Sequence, residues 1–183
     1  MATKSAAYIN TKDFITKDLA SEGQKLLQLH SDGAPELISK ETVQLLASEN
    51  CRVTYSPSYT PENNGLAERS NRTIWDSAYT MWLACSLPAM YWVYAVYFAL
   101  TCTNMLPTNT TKGWMSPFEA KYGTAPDVSR FRIFGCISYV HVPQQLRDST
   151  FADKSYKGFF VGFTWPLLDR YLVFVPELDK VVE

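Results

Sequence analysis

Apolar residues at Ile9, Phe14 and Leu19 recur along residues 5–21 at a spacing that predicts a helix of modest amphipathicity. "KLLQLH" (Lys25–His30) is a short apolar run ending in Ser-Asp-Gly, the pattern of a strand entering a turn. Ser39 can cap a helix reaching about Ser48, with Glu41 in its first turn and Val43 and Leu46 facing inward. "CRVTYS" (Cys51–Ser56) is β-branched and aromatic, a second strand. "PSYTPENNG" (Pro57–Gly65) is a polar loop. A long helix follows from near Leu66 to about Cys85, with Ala67, Ile74, Ala78 and Met81 as its apolar stripe. Leu87-Pro88 breaks it, and Met90–Leu100 forms another.

The pattern changes after Pro107. "TNTTKGWMSPFEAKYGTAPDVSR" is loop-rich, and "FRIFGCISYVHVP", "KGFFVGFTW" and "RYLVFVPELDKVVE" are three β-type runs divided by polar turns. The alternation of helices and strands in the first part makes it α/β, and the last part a small all-β module. The expected division is 1–127 and 128–183. Two strands are too few to cover three or four helices, so the first part reads as truncated at its N-terminus.

Composition narrows the function. A hydrophobic content of 46% and a charged fraction of 19% describe a globular chain rather than a disordered one. A net charge of −1 and a pI near 6.1 give no overall basic footprint, so DNA contact would rest on local Lys and Arg or on bound metal. Cys51, Cys85, Cys102 and Cys136 form no C-x-x-C pair, and His30 and His141 have no metal-type spacing. No zinc site is expected, and the thiols read as free and buried in a reducing compartment. The N-terminus lacks an apolar signal core, so the chain reads as nuclear or cytoplasmic and not secreted. No charge occurs between Asp76 and Lys112, yet the strongly apolar part, Met90–Leu100, is shorter than the roughly 20 residues a membrane span needs. It reads as a buried or interface helix.

Two carboxylates stand at element ends. Asp32 follows the first strand, where open α/β sheets place ligands. Glu68 lies in the first turn of the long helix, where the dipole favours an ionised carboxylate. Taken alone, an Asp in Ser-Asp-Gly is most often a turn former and such a Glu most often a dipole partner. If brought together, the two would repel unless a hard cation such as Mg²⁺ sat between them.

The surrounding words give the pair a context. "HSDGAPEL…TPENNGLAERSNRT…W", "LPAMYW", "TNMLPTNTTKGWMSPFEAKYGTAPDVSRFRIFGC" and "KSYKGFFVGF…DRYLVFVPELDKVV" resemble the integrase core and following module of Copia-type retrotransposon polyproteins. The blocks Pro61…Asn64-Gly65…Glu68-Arg69…Asn71-Arg72-Thr73 and Phe134-Gly135-Cys136 carry most of the likeness. The resemblance implies a truncated RNase H-like integrase core, long helices and a small SH3-like β-barrel module. It implies a D-D-x35-E triad with its second aspartate at Asp32 and its glutamate at Glu68, and 35 residues separate them, from Gly33 to Ala67. It also implies Mg²⁺ or Mn²⁺ as cofactor and DNA, both retrotransposon ends and target, as partner. Arg69 and Arg72 flank Glu68 off the apolar stripe, and the resemblance makes them, with Asn71, the expected DNA-binding residues.

The chain departs from the family pattern in two ways. The strand bearing the family's first catalytic aspartate has no counterpart before residue 5, and Asp13 and Asp18 fall on the helix after it. Gly33-Ala34-Pro35 stands where the family usually has Asn-Gly-Gly. The expectation is an integrase fragment, inactive alone, that partners DNA, a homo-oligomer or a missing N-terminal polyprotein segment. The alternative is a non-catalytic DNA- or protein-binding transposon remnant.

Overall fold

A parallel pair of strands bridged by a helix organises the N-terminal part of the computed structural model, which describes residues 4–31, 39–56, 65–85, 87–110, 113–147, 149, 153–164 and 168–183. The chain divides into two units, Met1–Arg69 and Ser70–Glu183.

In the first unit, α1 (Lys4–Asp13) continues as a π-helical stretch over Phe14–Leu19. The wider turn changes which residue meets the core: Ile15 is buried, while Ile9 and Phe14 are exposed. β1 (Gln28–Ser31) pairs in parallel with β2 (Arg52–Tyr55), placing Leu29 opposite Val53 and Ser31 opposite Tyr55. Parallel neighbours need a crossover, and α2 (Lys40–Ser48) supplies it. Ser39 caps α2 as expected, its Oγ accepting the Thr42 N–H at 3.3 Å. Ile15, Leu46 and Cys51 form the buried centre, with Leu26, Leu29, Leu45 and Val53 packed around it. Val43, expected inward, is exposed. The face that meets the core runs through Thr42, Leu45 and Leu46, at i, i+3 and i+4, and leaves Val43 outside it.

α3 (Gly65–Leu83) starts in the first unit and runs into the second. Ala78 of its predicted stripe is buried, Ile74 and Met81 are half-buried, and Ala67 is exposed. α4 (Trp92–Met105) is entered through a single 3₁₀ turn, Ala89–Tyr91. Among the described residues no helix is long and apolar enough to cross a membrane.

The stretch expected as loop holds two small elements. β3 (Thr108–Thr110) and β4 (Gly113–Met115) form an antiparallel hairpin. α5 (Pro117–Tyr122) follows, with the buried Ser116 Oγ accepting the Glu119 N–H at 3.0 Å and Gly123 ending it at φ +73°.

β5 (Ile137–His141), β6 (Ser155–Phe163), β7 (Tyr171–Val175) and β8 (Lys180–Val182) make an antiparallel sheet in sequence order. The last β-type run therefore supplies two strands, divided at Pro176–Leu178. The sheet is open: among the described residues β5 and β8 do not pair, so the barrel closure expected from the sequence is not seen. α4 supplies apolar cover instead. Phe98 lies edge-on to Phe160 at 5.4 Å and within 6.2 Å of the ring centroids of Phe131, Phe134 and Phe163. Tyr91 meets Phe174 at 4.2 Å. Burying one such ring contributes roughly 1.5–3 kcal/mol. An exposed ion pair such as Arg170–Glu183, at 2.7 Å, contributes about 0–1 kcal/mol, so aromatic burial dominates this unit.

All four cysteines are free, but only Cys51 is fully buried. Burial pushes the Cys102 and Cys85 thiols up from their ordinary range, which disfavours the reactive thiolate.

Gly135 explains the Phe-Gly-Cys block. Its φ is +77°, and a Cβ there would lie 2.4 Å from Cys85 Cβ. Its N–H donates to Phe160 O at 2.8 Å, and Phe160 N–H donates to Cys136 O at 2.9 Å, so the block is fastened to β6. Gly123 has a similar φ, +73°, with nothing near its missing Cβ. Gly135→Ala is therefore expected to lower unfolding stability by about 1–3 kcal/mol beyond the backbone strain shared with Gly123→Ala. Urea unfolding of both variants measures the difference, and equal midpoints would show that the close approach has no cost.

Candidate functional site

β1 ends at Ser31, which is 5% exposed. The strand ends of the first unit are fastened at this point. His30 Nδ1 is hydrogen-bonded to Thr54 Oγ1 at 2.9 Å and His30 Nε2 to Ser56 Oγ at 3.0 Å. Ser56 N–H donates to Ser31 O at 2.9 Å. A neutral imidazole offers one donor and one acceptor, and a hydroxyl can serve either, so both ring nitrogens are satisfied. Sequence reading gave His30 no role. Its signal was its place opposite Thr54 across a parallel pair, which appears only once the register is known.

Asp32 follows Ser31 in the chain and lies outside the described residues, as do Gly33, Ala34, Pro35 and the Pro57–Asn64 loop. Glu68 is described. It occupies the first turn of α3 and is exposed, as are Arg69, Asn71 and Arg72. Helical spacing puts Glu68, Asn71 and Arg72 on one face, and Arg69 shares a face with Arg72 at i, i+3. Among the described residues Glu68 makes no ion pair, so its carboxylate is not taken up by Arg72 at i+4. Buried Ala78 lies ten positions beyond Glu68, roughly 80° away around the helix at 100° per residue. The side bearing Glu68, Arg69 and Arg72 is therefore not the side that packs, whereas Asn71, seven positions before Ala78, lies within about 20° of it.

An exposed carboxylate oxygen is a ligand of the kind a hard divalent cation takes. One carboxylate does not make a metal centre, and among the described residues no group of three His, Cys, Asp or Glu side chains could hold an ion. What α3 does present is two guanidinium side chains beside a carboxylate, on a solvent-facing helical surface.

The second unit has a feature of another kind. Trp75, Ala78, Tyr79 and Trp82 of α3, with Trp92 and Val96 of α4, line an apolar groove of about 250 Å³. Trp75 and Trp92 stack at 5.3 Å, and both are about half exposed. The absence of charge between Asp76 and Lys112 was its sequence signal.

No family model matches the chain. It is 32% identical over 141 residues to the retrovirus-related Pol polyprotein from transposon TNT 1-94 of Nicotiana tabacum, 77% of this chain and 10% of that protein. It is 37% identical over 109 residues to the corresponding polyprotein of transposon RE1 of Arabidopsis thaliana, 60% of this chain and 7% of that protein. The same stretch length is 36% identical in transposon RE2 of the same plant. The chain thus spans between 7% and 10% of these curated relatives. Among solved structures it resembles the simian T-cell lymphotropic virus intasome in complex with PP2A regulatory subunit B56 gamma. That likeness has a TM-score of 0.53 at 17% identity, over 91% of this chain and 60% of that one. At that identity it establishes the fold, which is α/β and RNase H-like.

The histidine clamp has a measurable signature. His30→Ala is expected to cost about 0.5–1.5 kcal/mol, since the freed hydroxyls can turn to water. It should also speed hydrogen exchange at the Ser56 amide. Unchanged exchange there would show that the ring does not hold the strand ends.

Proposed function

We propose, from the premise that this chain's homologues are Copia-type retrotransposon Pol polyproteins, that it is an integrase-derived segment whose α3 surface binds the DNA backbone beside a divalent-metal site. One observation carries this reading. Glu68 stands exposed in the first turn of α3, with no ion pair among the described residues and with Arg69, Asn71 and Arg72 near it in sequence, at the position the polyprotein resemblance gives the catalytic glutamate.

The roles follow from the chemistry of the side chains. Arg72 and Arg69 would contact phosphate oxygens, Arg72 through a guanidinium fork suited to two oxygens at once. Asn71 would add a neutral donor to phosphate or sugar. Such contacts position DNA without reading its sequence. Asp32 and Glu68 would hold Mg²⁺ or Mn²⁺. The bound ion would neutralise phosphodiester charge and help activate the attacking oxygen. The chain's net charge of −1 is compatible with this only because the cations are local to one helix face. In this reading residues 1–127 form the integrase-core part and 128–183 the SH3-like β module.

Arg72→Ala should weaken binding to a DNA duplex by a similar factor for unrelated sequences. It should also lower the slope of log affinity against log salt by about one. Titration of a labelled duplex at several salt concentrations reads both, and unchanged affinity at low salt would remove Arg72 from the interface.

The metal has its own test. Mn²⁺ should broaden the amide resonances of the first turn of α3, and either Asp32→Asn or Glu68→Gln should reduce that broadening. DNA binding that persists with no Mn²⁺ effect at Glu68 would favour a non-catalytic DNA-binding role.

A further inference from the structure

Among the described residues β5 is an edge strand with one side occupied. Phe160 N–H donates to Cys136 O and Val142 N–H donates to Lys154 O, each at 2.9 Å. Between these bonds, Ser138 lies opposite Gly158 and Val140 opposite Tyr156. Antiparallel pairing alternates, so the even-numbered residues direct their backbone groups at β6. Ile137, Tyr139 and His141 direct theirs at the open edge. The same residues are exposed, Ile137 at 57% and Tyr139 at 70%.

Edge strands are usually guarded by charge, proline or a covering segment, because their free N–H and C=O groups can add another strand. Between Phe134 and Pro143 β5 and its flanks carry no Lys, Arg, Asp, Glu or Pro. The bulge in this sheet is on β6, between Phe160 and Gly162, and not on β5.

We propose that β5 is a dimerisation edge that pairs antiparallel with β5 of a second copy of this chain, about a two-fold axis at Tyr139. The pattern is self-complementary. With Tyr139 opposite its own copy, Ile137 falls opposite the other copy's His141, and each outward N–H meets an outward C=O. The strand brings no formal charge to the axis, so no like-charge pair forms there. Two cations stand near this edge: Lys157, opposite Tyr139 on β6, and Arg147, which lies 3.4 Å from His141 Nε2 and donates to Val142 O, so that the paired strands would carry one Arg147 at each end. In the paired sheet the two Lys157 side chains would stand three strand spacings apart, about 14 Å, beyond a Debye length of about 8–10 Å. A central tyrosine pair is a favourable cross-strand contact. This inference uses neither the carboxylates nor the DNA-binding residues, so its outcome is independent of the nucleic-acid reading.

The experiment follows mass and amide exchange together on the whole chain. Sedimentation over a concentration series should show the mass doubling. Exchange at the Ile137, Tyr139 and His141 amides should slow in step with it. Tyr139→Lys places like charges opposite each other at the axis and should weaken association by roughly tenfold or more. Lys157→Gln, one strand away, should leave association intact. His141→Lys, a second exposed change on the same edge, should weaken association as well. A chain that stays monomeric throughout would overturn the proposal. So would a dimer whose three amides stay unprotected, which would point to another surface such as the Trp75–Trp92 groove. Undiminished association in both Tyr139→Lys and His141→Lys would overturn it too.

Discussion

The packing of α4 on β6 is the constraint on which the second unit rests. Phe98 is the only ring that meets Phe131, Phe134, Phe160 and Phe163 together among the described residues. An open four-stranded sheet cannot bury its apolar face by closing on itself. It needs a helix of matching apolarity, and α4, with no charge along its length, provides one. The cost of an all-round apolar helix is its other side, where Trp92, Val93 and Tyr97 stay exposed.

The Phe-Gly-Cys block shows how short sequence words become packing requirements. Phe134 enters the ring cluster, Gly135 lets the backbone pass Cys85, and Cys136 accepts the first hydrogen bond of the β5–β6 ladder. Gly158 makes a related demand, since a Cβ there would lie 2.6 Å from Phe174 O across the sheet. Each removes a side chain so that two backbones can approach, which is the usual reason a sheet tolerates glycine.

The sequence made the long elements legible and the short ones not. α2 and its Ser39 cap, the two N-terminal strands, α3 and α4 follow from periodicity and capping chemistry, which are local. The β3–β4 hairpin and α5 hid in a segment crowded with turn residues, although Ser116-Pro117…Glu119 and Gly123 are a recognisable start and stop. The face of α1 escaped because the π-helical stretch breaks the 3.6-residue period on which the reading relied. Barrel closure failed for a tertiary reason: three β-type runs specify strands, not whether the outer two meet. At the candidate site, the exposed first-turn Glu68 and its polar neighbours were legible from helix spacing. Asp32 lies outside the described residues, and the His30 clamp depends on a parallel register that no local pattern encodes.

The charge-free interior between α4 and the sheet also sets how the second unit responds to cold. Aromatic and aliphatic burial carries a large heat-capacity change, and its stabilisation fades on cooling. From Ser77 to Thr111 there is no charged side chain to add an ionic contribution. Cooling below the temperature of maximum stability therefore weakens this interior, and kosmotropic salts such as sulfate strengthen it.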